Sequence, residues 1–372
     1  GGFDAGAMIT ASHLPAEMNG LKLVSRDAVP LSSDRGLPEL EKMTRQGVCP
    51  PAGKISAKGV VRQGGELDNY INRISGFVHE PVKMNIVVDG GNGAVGPELE
   101  RLFKKFPMWN VTTLFMEPDG SFPNHVANPL IPVNTEDLQR KVREIKADVG
   151  IAFDGDADRC GFVDENGDRI REDLVTALVS EFFLYRQPGS KILYDLRSSR
   201  VVPETIKRLG GVPVRSRVGH SFIKELMRKE GAVFAGELSG HYYYKDMGYT
   251  DNALLTMVHM LNFLAYKGEP LSAIMKHLQT YSATGEINMA VSNPQAIFTA
   301  LEQAYGNAGQ DSLDGLTVSY DTWWFNLRLS NTEPLMRLNL EADDLTLMDT
   351  KSREVLSAIH KADPKMQVRT GP

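Results

Sequence analysis

Along most of the chain, short apolar runs give way to Gly- or Ser-rich loops and then to stretches with helical apolar spacing. Ala7–Thr10 runs into Ala11-Ser12-His13, Met84–Asp89 into Gly90–Gly96, and Val149–Phe153 into Asp154–Arg159. The same change occurs from Lys191–Asp195 to Leu196–Arg200, from Val212–Arg217 to Val218-Gly219-His220, and from Ala232–Ala235 to Gly236–His241. Strands alternating with helices predict α/β units and largely parallel sheets. Ligands of such sheets gather outside the carboxyl ends of the strands, which is where the polar loops fall. After about residue 282 the texture changes. Glu286–Val291 alternates like a strand and Pro294–Tyr305 like a helix. Thr317–Tyr320, Trp324–Leu329 and Met336–Ala342 then read as successive strands before a helix over Leu345–Lys361, an α+β end-domain with an antiparallel sheet. Residues 47–66 read as irregular chain, 67–78 as a linking helix, and Glu165-Asn166-Gly167-Asp168 as a hairpin turn. There is no short-period repeat, and the recurring α/β units leave diverged copies open.

Composition narrows the function classes. The 372 residues are 42% apolar and 24% charged, which excludes a wholly disordered chain, a collagen and a disulfide scaffold. At ~100–200 residues per domain, two to four domains are expected. Lys plus Arg number 41 against 47 Asp plus Glu, a formal charge of −6 that argues against nucleic acid as a partner. Cys49 and Cys160 form no framework, so a reducing, cytoplasmic setting is expected. No apolar run reaches ~18 residues, the longest being Val258–Tyr266, so no membrane span is expected. The opening Gly1-Gly2-Phe3-Asp4-Ala5-Gly6 has no initiator Met and reads like a chain entered in mid-domain.

Asp154-Gly155-Asp156-Ala157-Asp158-Arg159 follows a buried-looking strand. Three carboxylates so close raise one another's pKa unless a cation compensates. Oxygen-only ligands suit Mg²⁺ or Ca²⁺. An EF-hand loop with Glu165 as twelfth ligand is one rival, weakened by Arg159 where Gly is needed. A solvated acidic turn is the other. In Thr10-Ala11-Ser12-His13-Leu14-Pro15, Ser12 is a candidate nucleophile or phosphate carrier, against the plainer reading of a polar turn. Asn19-Gly20 then turns the chain towards Lys22. Arg328-Leu329-Ser330-Asn331-Thr332-Glu333-Pro334, with Arg337 adding charge, makes a phosphate cradle or a polar hairpin turn.

Two loops are weaker alone. Gly236-Glu237-Leu238-Ser239-Gly240-His241 offers a carboxylate and a hydroxyl suited to sugar hydroxyls. Gly219-His220-Ser221 precedes a helix, with Ser221 the expected N-cap and His220 near an anion-favouring helix start. Gly91-Asn92-Gly93-Ala94-Val95-Gly96 matches a dinucleotide fingerprint, which keeps a nicotinamide oxidoreductase as a rival. The acidic residue expected about twenty positions on is missing, so close helix-on-strand packing is the preferred reading.

Taken in order, Thr10–Pro15, Asp154–Arg159, Gly236–His241 and Arg328–Pro334 resemble the α-D-phosphohexomutase family, most closely its bacterial phosphomannomutase/phosphoglucomutase branch. The resemblance runs from Met8 to about Ala342. It implies three α/β units with mixed sheets plus a C-terminal α+β domain around a central cleft. The expected domains are 1–66 with the serine loop, 67–168 with the metal loop, 169–282 with the sugar loop and 283–372 with the phosphate loop. By resemblance Ser12 is the phosphorylated serine, and Asp154, Asp156 and Asp158 hold Mg²⁺ with a phosphoserine oxygen. Arg159 lies beside the metal, Lys22 and His220 take proton-transfer and positioning roles, and His13 joins them in the catalytic set. Glu237, Ser239 and His241 meet the sugar. Arg328, Ser330, Asn331 and Thr332 cradle the phosphate that is not being transferred, Arg337 adds charge, and Arg197, where some relatives have Lys, is a positively charged substrate-binding position. The implied reaction interconverts mannose 6-phosphate and mannose 1-phosphate, with a hexose 1,6-bisphosphate as intermediate and activator, in a monomer or weak dimer. A glucose or dual-specificity mutase, and an inactive sugar-phosphate-binding relative, are the alternatives. Leu14 replaces the family's usual Asn, and Leu238 leans away from amino sugars. Most of the first domain before the serine loop is expected to be missing, leaving that domain unstable unless further residues complete it.

Overall fold

Two of the units fold to one plan. The computed structural model describes residues 3–14, 16–32, 35–48, 59–79, 81–330 and 333–369. Met84–Asp89, Trp109–Leu114 and Val149–Phe153 pair in parallel, and Cys160–Val163 and Arg169–Ile170 extend the sheet antiparallel. Lys191–Asp195, Val212–Ser216 and Phe234–Gly236 do the same, extended by Tyr242–Tyr244 and Thr250–Asp251. In both sheets the order runs second, first, third, fourth, fifth strand. The mixed sheets follow the expectation, and the shared order gives the recurring units a common topology. The hairpin expected at residues 165–168 joins Cys160–Val163 to Arg169–Ile170, with Asp164 Oδ1 accepting from the Asn166 and Asp168 amides at 2.9 Å.

Helices Glu172–Arg186 and Ala253–Lys267 are buried on nearly every side, as helices apolar all round must be. They sit in one core with Ile86, Val88, Ile151 and Phe162 of the first sheet and Ile192, Phe234, Tyr242 and Tyr244 of the second. Each fully buried Leu or Phe there contributes about 1.5–3 kcal/mol, which makes the two units one packed body. The run Val258–Tyr266 lies in the second of these helices, and no described helix is long and apolar enough to cross a membrane. On the outer faces, Leu138 and Val142 cover one sheet and Ile223 and Met227 the other. Helix Leu67–Ser75 buries Ile71 and Ile74 in the shared core, as a linking helix should.

The C-terminal sheet is antiparallel throughout, with helices Pro294–Ala304 and Leu345–Ala362 packed against it. Its strands lie at Ser282–Ala290, Leu316–Ser319, Trp323–Leu329 and Met336–Ala342, close to the expected runs. Gly309–Asp311 and Gln367–Arg369 are two further strands, too short for alternation to reveal. Arg215 fixes this domain to its neighbour through Asp311 (2.8 Å), and Arg200 does so through the carbonyls of Tyr320 and Asp321 (2.6 Å each).

The N-terminal unit is an antiparallel meander of Ala5–Ile9, Leu21–Ser25 and Val29–Pro30, followed by helix Leu37–Arg45. Phe3, Met8, Ile9 and Leu21 are exposed. Met8 pairs with Lys22 and Ile9 with Leu21, so the serine loop and Lys22 leave the same end of this sheet. Cys49 and the irregular stretch 49–58 lie outside the described residues.

Candidate active site

Asp154–Arg159 is the turn between antiparallel strands, closed by the Asp154 amide donating to the Arg159 carbonyl at 3.2 Å. Asp154 is wholly buried and accepts from Arg159 twice, from the amide at 3.1 Å and from Nε at 2.8 Å. Carboxylate oxygens of Asp154, Asp156 and Asp158 lie within 4.8 Å of one another. Asp156 Oδ1 and Asp158 Oδ1 are buried without a hydrogen-bond donor. His241 Nε2 stands 3.3 Å from the latter without hydrogen-bonding geometry. Orphaned carboxylate oxygens and an all-oxygen donor set fit a hard divalent cation such as Mg²⁺. Burial removes the solvated-turn reading. Glu165 removes the EF-hand reading, because it is spent on the amide (3.1 Å) and hydroxyl of Ser272. Burial, with Asp158 and Asp156 adding to it and Arg159 opposing, pushes the Asp154 carboxyl up to about 6. Burial acts on Asp158 in the same sense, but His241 and Lys22 outweigh it and hold that carboxyl well below the usual range.

The serine loop folds onto this turn. Ser12 adopts a left-handed φ of 56°, and its amide donates to Thr10 Oγ1 at 2.8 Å. Thr10 Oγ1 in turn donates to Asp156 Oδ2 at 2.8 Å. Ser12 Oγ lies 3.4 Å from Asp154 Oδ2, 3.4 Å from Arg159 Nη2 and 3.1 Å from His13 Nδ1. A Cβ on Gly155 would stand 2.4 Å from the Ser12 carbonyl, so glycine permits the approach. Burial first, then Arg159 and His241, holds the His13 imidazole down to about 4. Lys22 Nζ contacts Asp156 Oδ2 (2.6 Å) and Asp158 Oδ2. Burial opposes its charge, but Asp158 and Asp156 hold it well above the ordinary lysine value. It is therefore a fixed cation here, which fits positioning better than proton abstraction.

The sugar loop is the same turn in the second sheet: Glu237–His241 joins the third strand to the fourth, and the Glu237 amide donates to the His241 carbonyl at 3.0 Å. Arg159 and His241, the last residues of the two turns, form a β-bridge. Glu237 is buried and accepts from the Gly219 amide (3.0 Å), Ser239 Oγ (2.9 Å) and the Tyr243 hydroxyl (3.0 Å). With Ser239 giving its proton to Glu237, His241 Nδ1 donates to Ser239 at 2.9 Å. Burial disfavours a charged His241, yet Asp158 and Glu237 outweigh it and raise its pKa. The expected N-cap at Ser221 is corrected: the helix begins at His220, and Gly219 caps it at φ +126°, a backbone Ser does not favour. Burial, then Lys224, lowers the His220 pKa.

At the far end Arg197 is clamped to Asp195, from Nη2 at 2.6 Å and Nε at 3.2 Å. Burial opposes its charge; Asp195 and Glu286 restore it and raise its pKa. Arg328 and Arg337 stand opposite each other on paired strands. The Ser330 amide donates to the Leu335 carbonyl at 2.8 Å, while Asn331 and Thr332 lie outside the described residues. Glu286 reaches Arg197 Nη1 (3.5 Å), Arg328 Nη2 (2.7 Å) and Arg337 Nη1 (3.3 Å). Contacts thus run unbroken from Ser12 through Asp154, Arg159, Asp158, His241 and Glu237. The Leu238 amide then donates to Asp195 (2.9 Å), and the chain continues through Arg197 and Glu286 to Arg337. Asp195 and Glu286 were missed as functional candidates. The place of Asp195 at a strand's carboxyl end was a usable signal; Glu286 offered none.

The dinucleotide fingerprint is occupied by protein. A Cβ on Gly96 would fall 2.0 Å from the Met116 carbonyl, and one on Gly93 2.7 Å from the Gly155 carbonyl. These glycines serve close packing, partly against the aspartate turn itself.

Residues 1–47, 68–167 and 171–281 match the descriptions of phosphoglucomutase/phosphomannomutase alpha/beta/alpha domains I, II and III, and residues 286–355 match the C-terminal domain. A phosphomannomutase of Escherichia coli is 38% identical over 371 residues, covering 96% of this chain and 81% of its own. The crystal structure of a phosphoglucomutase/phosphomannomutase family protein from Burkholderia thailandensis superposes with a TM-score of 0.88 at 33% identity, covering 99% of this chain and 78% of that one. Aspergillus fumigatus N-acetylphosphoglucosamine mutase, solved with GlcNAc-6P and magnesium, shares the fold at TM-score 0.69 and 17% identity, over 96% of this chain and 89% of that one.

Proposed function

The chain belongs to the phosphoglucomutase/phosphomannomutase family of phosphoryl-transferring isomerases, and we propose that it interconverts mannose 6-phosphate and mannose 1-phosphate through a phosphorylated Ser12. The observation that carries this reading is the convergence on Ser12 Oγ of Asp154 Oδ2 and Arg159 Nη2, both at 3.4 Å and both from more than 140 residues away. Phosphoryl transfer asks a protein mainly for positioning and charge neutralisation. Asp154, Asp156, Asp158 and a phosphoserine oxygen would hold Mg²⁺, which supplies neutralising charge when bound.

Phosphorylated Ser12 gives its phosphoryl group to the free hydroxyl of a hexose monophosphate. The Oγ–P bond breaks and a P–O bond to the sugar forms, the sugar hydroxyl losing its proton and the departing Ser12 Oγ taking one up. The hexose 1,6-bisphosphate turns round and returns its other phosphoryl group to Ser12: the sugar O–P bond breaks, an Oγ–P bond forms, the Ser12 proton passes to His13 Nδ1 at 3.1 Å, and the freed sugar oxygen takes up a proton. Arg159 donates to the transferring group, Glu237 and Ser239 hold sugar hydroxyls, and the cluster of Arg197, Arg328 and Arg337 takes the distal phosphate. Lys22 orders two aspartates of the turn. A trace of bisphosphate keeps Ser12 charged and so acts as activator. Relatives named phosphomannomutase support the mannose preference.

Phosphorus NMR of mannose 6-phosphate with the protein, Mg²⁺ and a trace of hexose 1,6-bisphosphate tests this. A mannose 1-phosphate resonance is expected. Its absence, or faster conversion of glucose 6-phosphate in a parallel sample, overturns the assignment.

A further inference from the structure

We infer that the Glu286 carboxylate is the resident counter-anion of the three-arginine cradle, displaced when a phosphoryl group arrives. The inference rests on the cradle's role in the reading above and adds to it a residue that sets phosphate affinity.

The cradle needs an anion. Arg328 and Arg337 are directly opposed on an antiparallel pair, where like charges repel. Arg197 approaches from another domain with its Nε and Nη2 spent on Asp195, leaving Nη1 for the cradle. Glu286 meets all three, with Oε2 taking Arg197 and Arg328 and Oε1 taking Arg337. Two carboxylate oxygens do not exhaust the donors. Arg328 Nε and Arg337 Nε are buried without a partner, and the Arg328 side chain is only 2% exposed. A buried guanidinium donor left unpaired costs free energy, so the site is shaped for an acceptor with more oxygens than a carboxylate has. A phosphoryl group is that acceptor.

Charge sets the two anions in competition. Three guanidiniums already face Asp195, Glu286 and Glu333. A phosphate monoester brings about −1.5 to −2 more, an anionic excess that withdrawal of one carboxylate lowers by a full charge. Glu286 is placed to withdraw. At 23% exposed its side chain lies nearer solvent than Arg328, and it follows Gly285, whose φ is +70°. Pairing of its strand with Met336–Ala342 is interrupted after Ala283 and resumes at Glu286 opposite Asn339, so the backbone of Glu286 is held while its side chain is free to swing. A competing carboxylate also shortens phosphate residence. That suits a bisphosphate that must let go to turn round.

Inorganic phosphate binding to the full chain, read by calorimetry near pH 7, tests this without any turnover. Glu286→Gln and Glu286→Ser should bind phosphate about tenfold more tightly than the parent, while Glu286→Asp stays within about threefold. Unchanged or weaker binding in the first two variants overturns the inference and makes Glu286 a brace for the arginines. Turnover provides a second reading: Glu286→Gln should lower KM and kcat together, whereas loss of a brace raises KM. If the parent binds phosphate but converts no hexose phosphate, the sugar assignment fails while the phosphate comparison still decides the role of Glu286.

Discussion

Lys22 Nζ lies 2.6 Å from Asp156 Oδ2, across 134 residues of chain, and the same ammonium touches Asp158. A lysine thus partly neutralises the turn proposed to hold a dication. Removing it should open the turn to metal. Lys22→Met is expected to bind Mn²⁺ or Mg²⁺ several-fold more tightly while losing turnover, because the competing charge is gone but the aspartates are no longer ordered. Asp156→Asn should weaken the same binding by at least ~10-fold. Metal titration by calorimetry separates the two, and weaker binding in the lysine variant would contradict the account.

Ser12→Ala should cut mutase turnover by on the order of 10³-fold or more, since Ser12 Oγ is the hydroxyl that Asp154 and Arg159 flank at 3.4 Å. Intact-mass measurement after incubation with hexose 1,6-bisphosphate should show a phosphoryl mass on the parent and none on the variant. A variant that turns over normally would remove phosphoserine from the mechanism.

Gly96→Ala tests the packing reading of the glycine fingerprint. Its Cβ would lie 2.0 Å from a backbone carbonyl oxygen, which cannot swing aside as a side chain can. A loss of about 1–3 kcal/mol or more is expected, seen as a lower urea midpoint. An unchanged midpoint would show that the helix start has room.

His125 and Asp89 carry a pH-dependent part of stability. Burial works against a charged His125, but its 3.1 Å contact with Asp89 and the carbonyl of Val126 outweigh burial and raise its pKa. A raised histidine pKa gives stability that is fully present below the unfolded value of about 6.5 and lost as pH rises through the folded value. Denaturation midpoints measured upward from about pH 6 should fall less steeply for His125→Asn than for the parent. Parallel profiles would show that the pair contributes nothing.

What the residues settled alone was local. Apolar runs ending in polar loops located Met84–Asp89 and Val149–Phe153 of the first repeated sheet and the three parallel strands of the second, because burial imposes its period on neighbouring positions. Asp154, Asp156 and Asp158 pointed to a cation because three carboxylates in five residues are close in any fold. The order of four motifs carried the family. Tertiary structure decided the rest. The shared strand order makes the aspartate turn and the sugar loop equivalent, and the bridge between Arg159 and His241 sets them face to face. Glu286 and Arg197, 89 residues apart, meet only because two domains pack together. Such contacts depend on sheet order and domain docking, which no window of sequence encodes, so the charge balance of the site could be seen only in three dimensions.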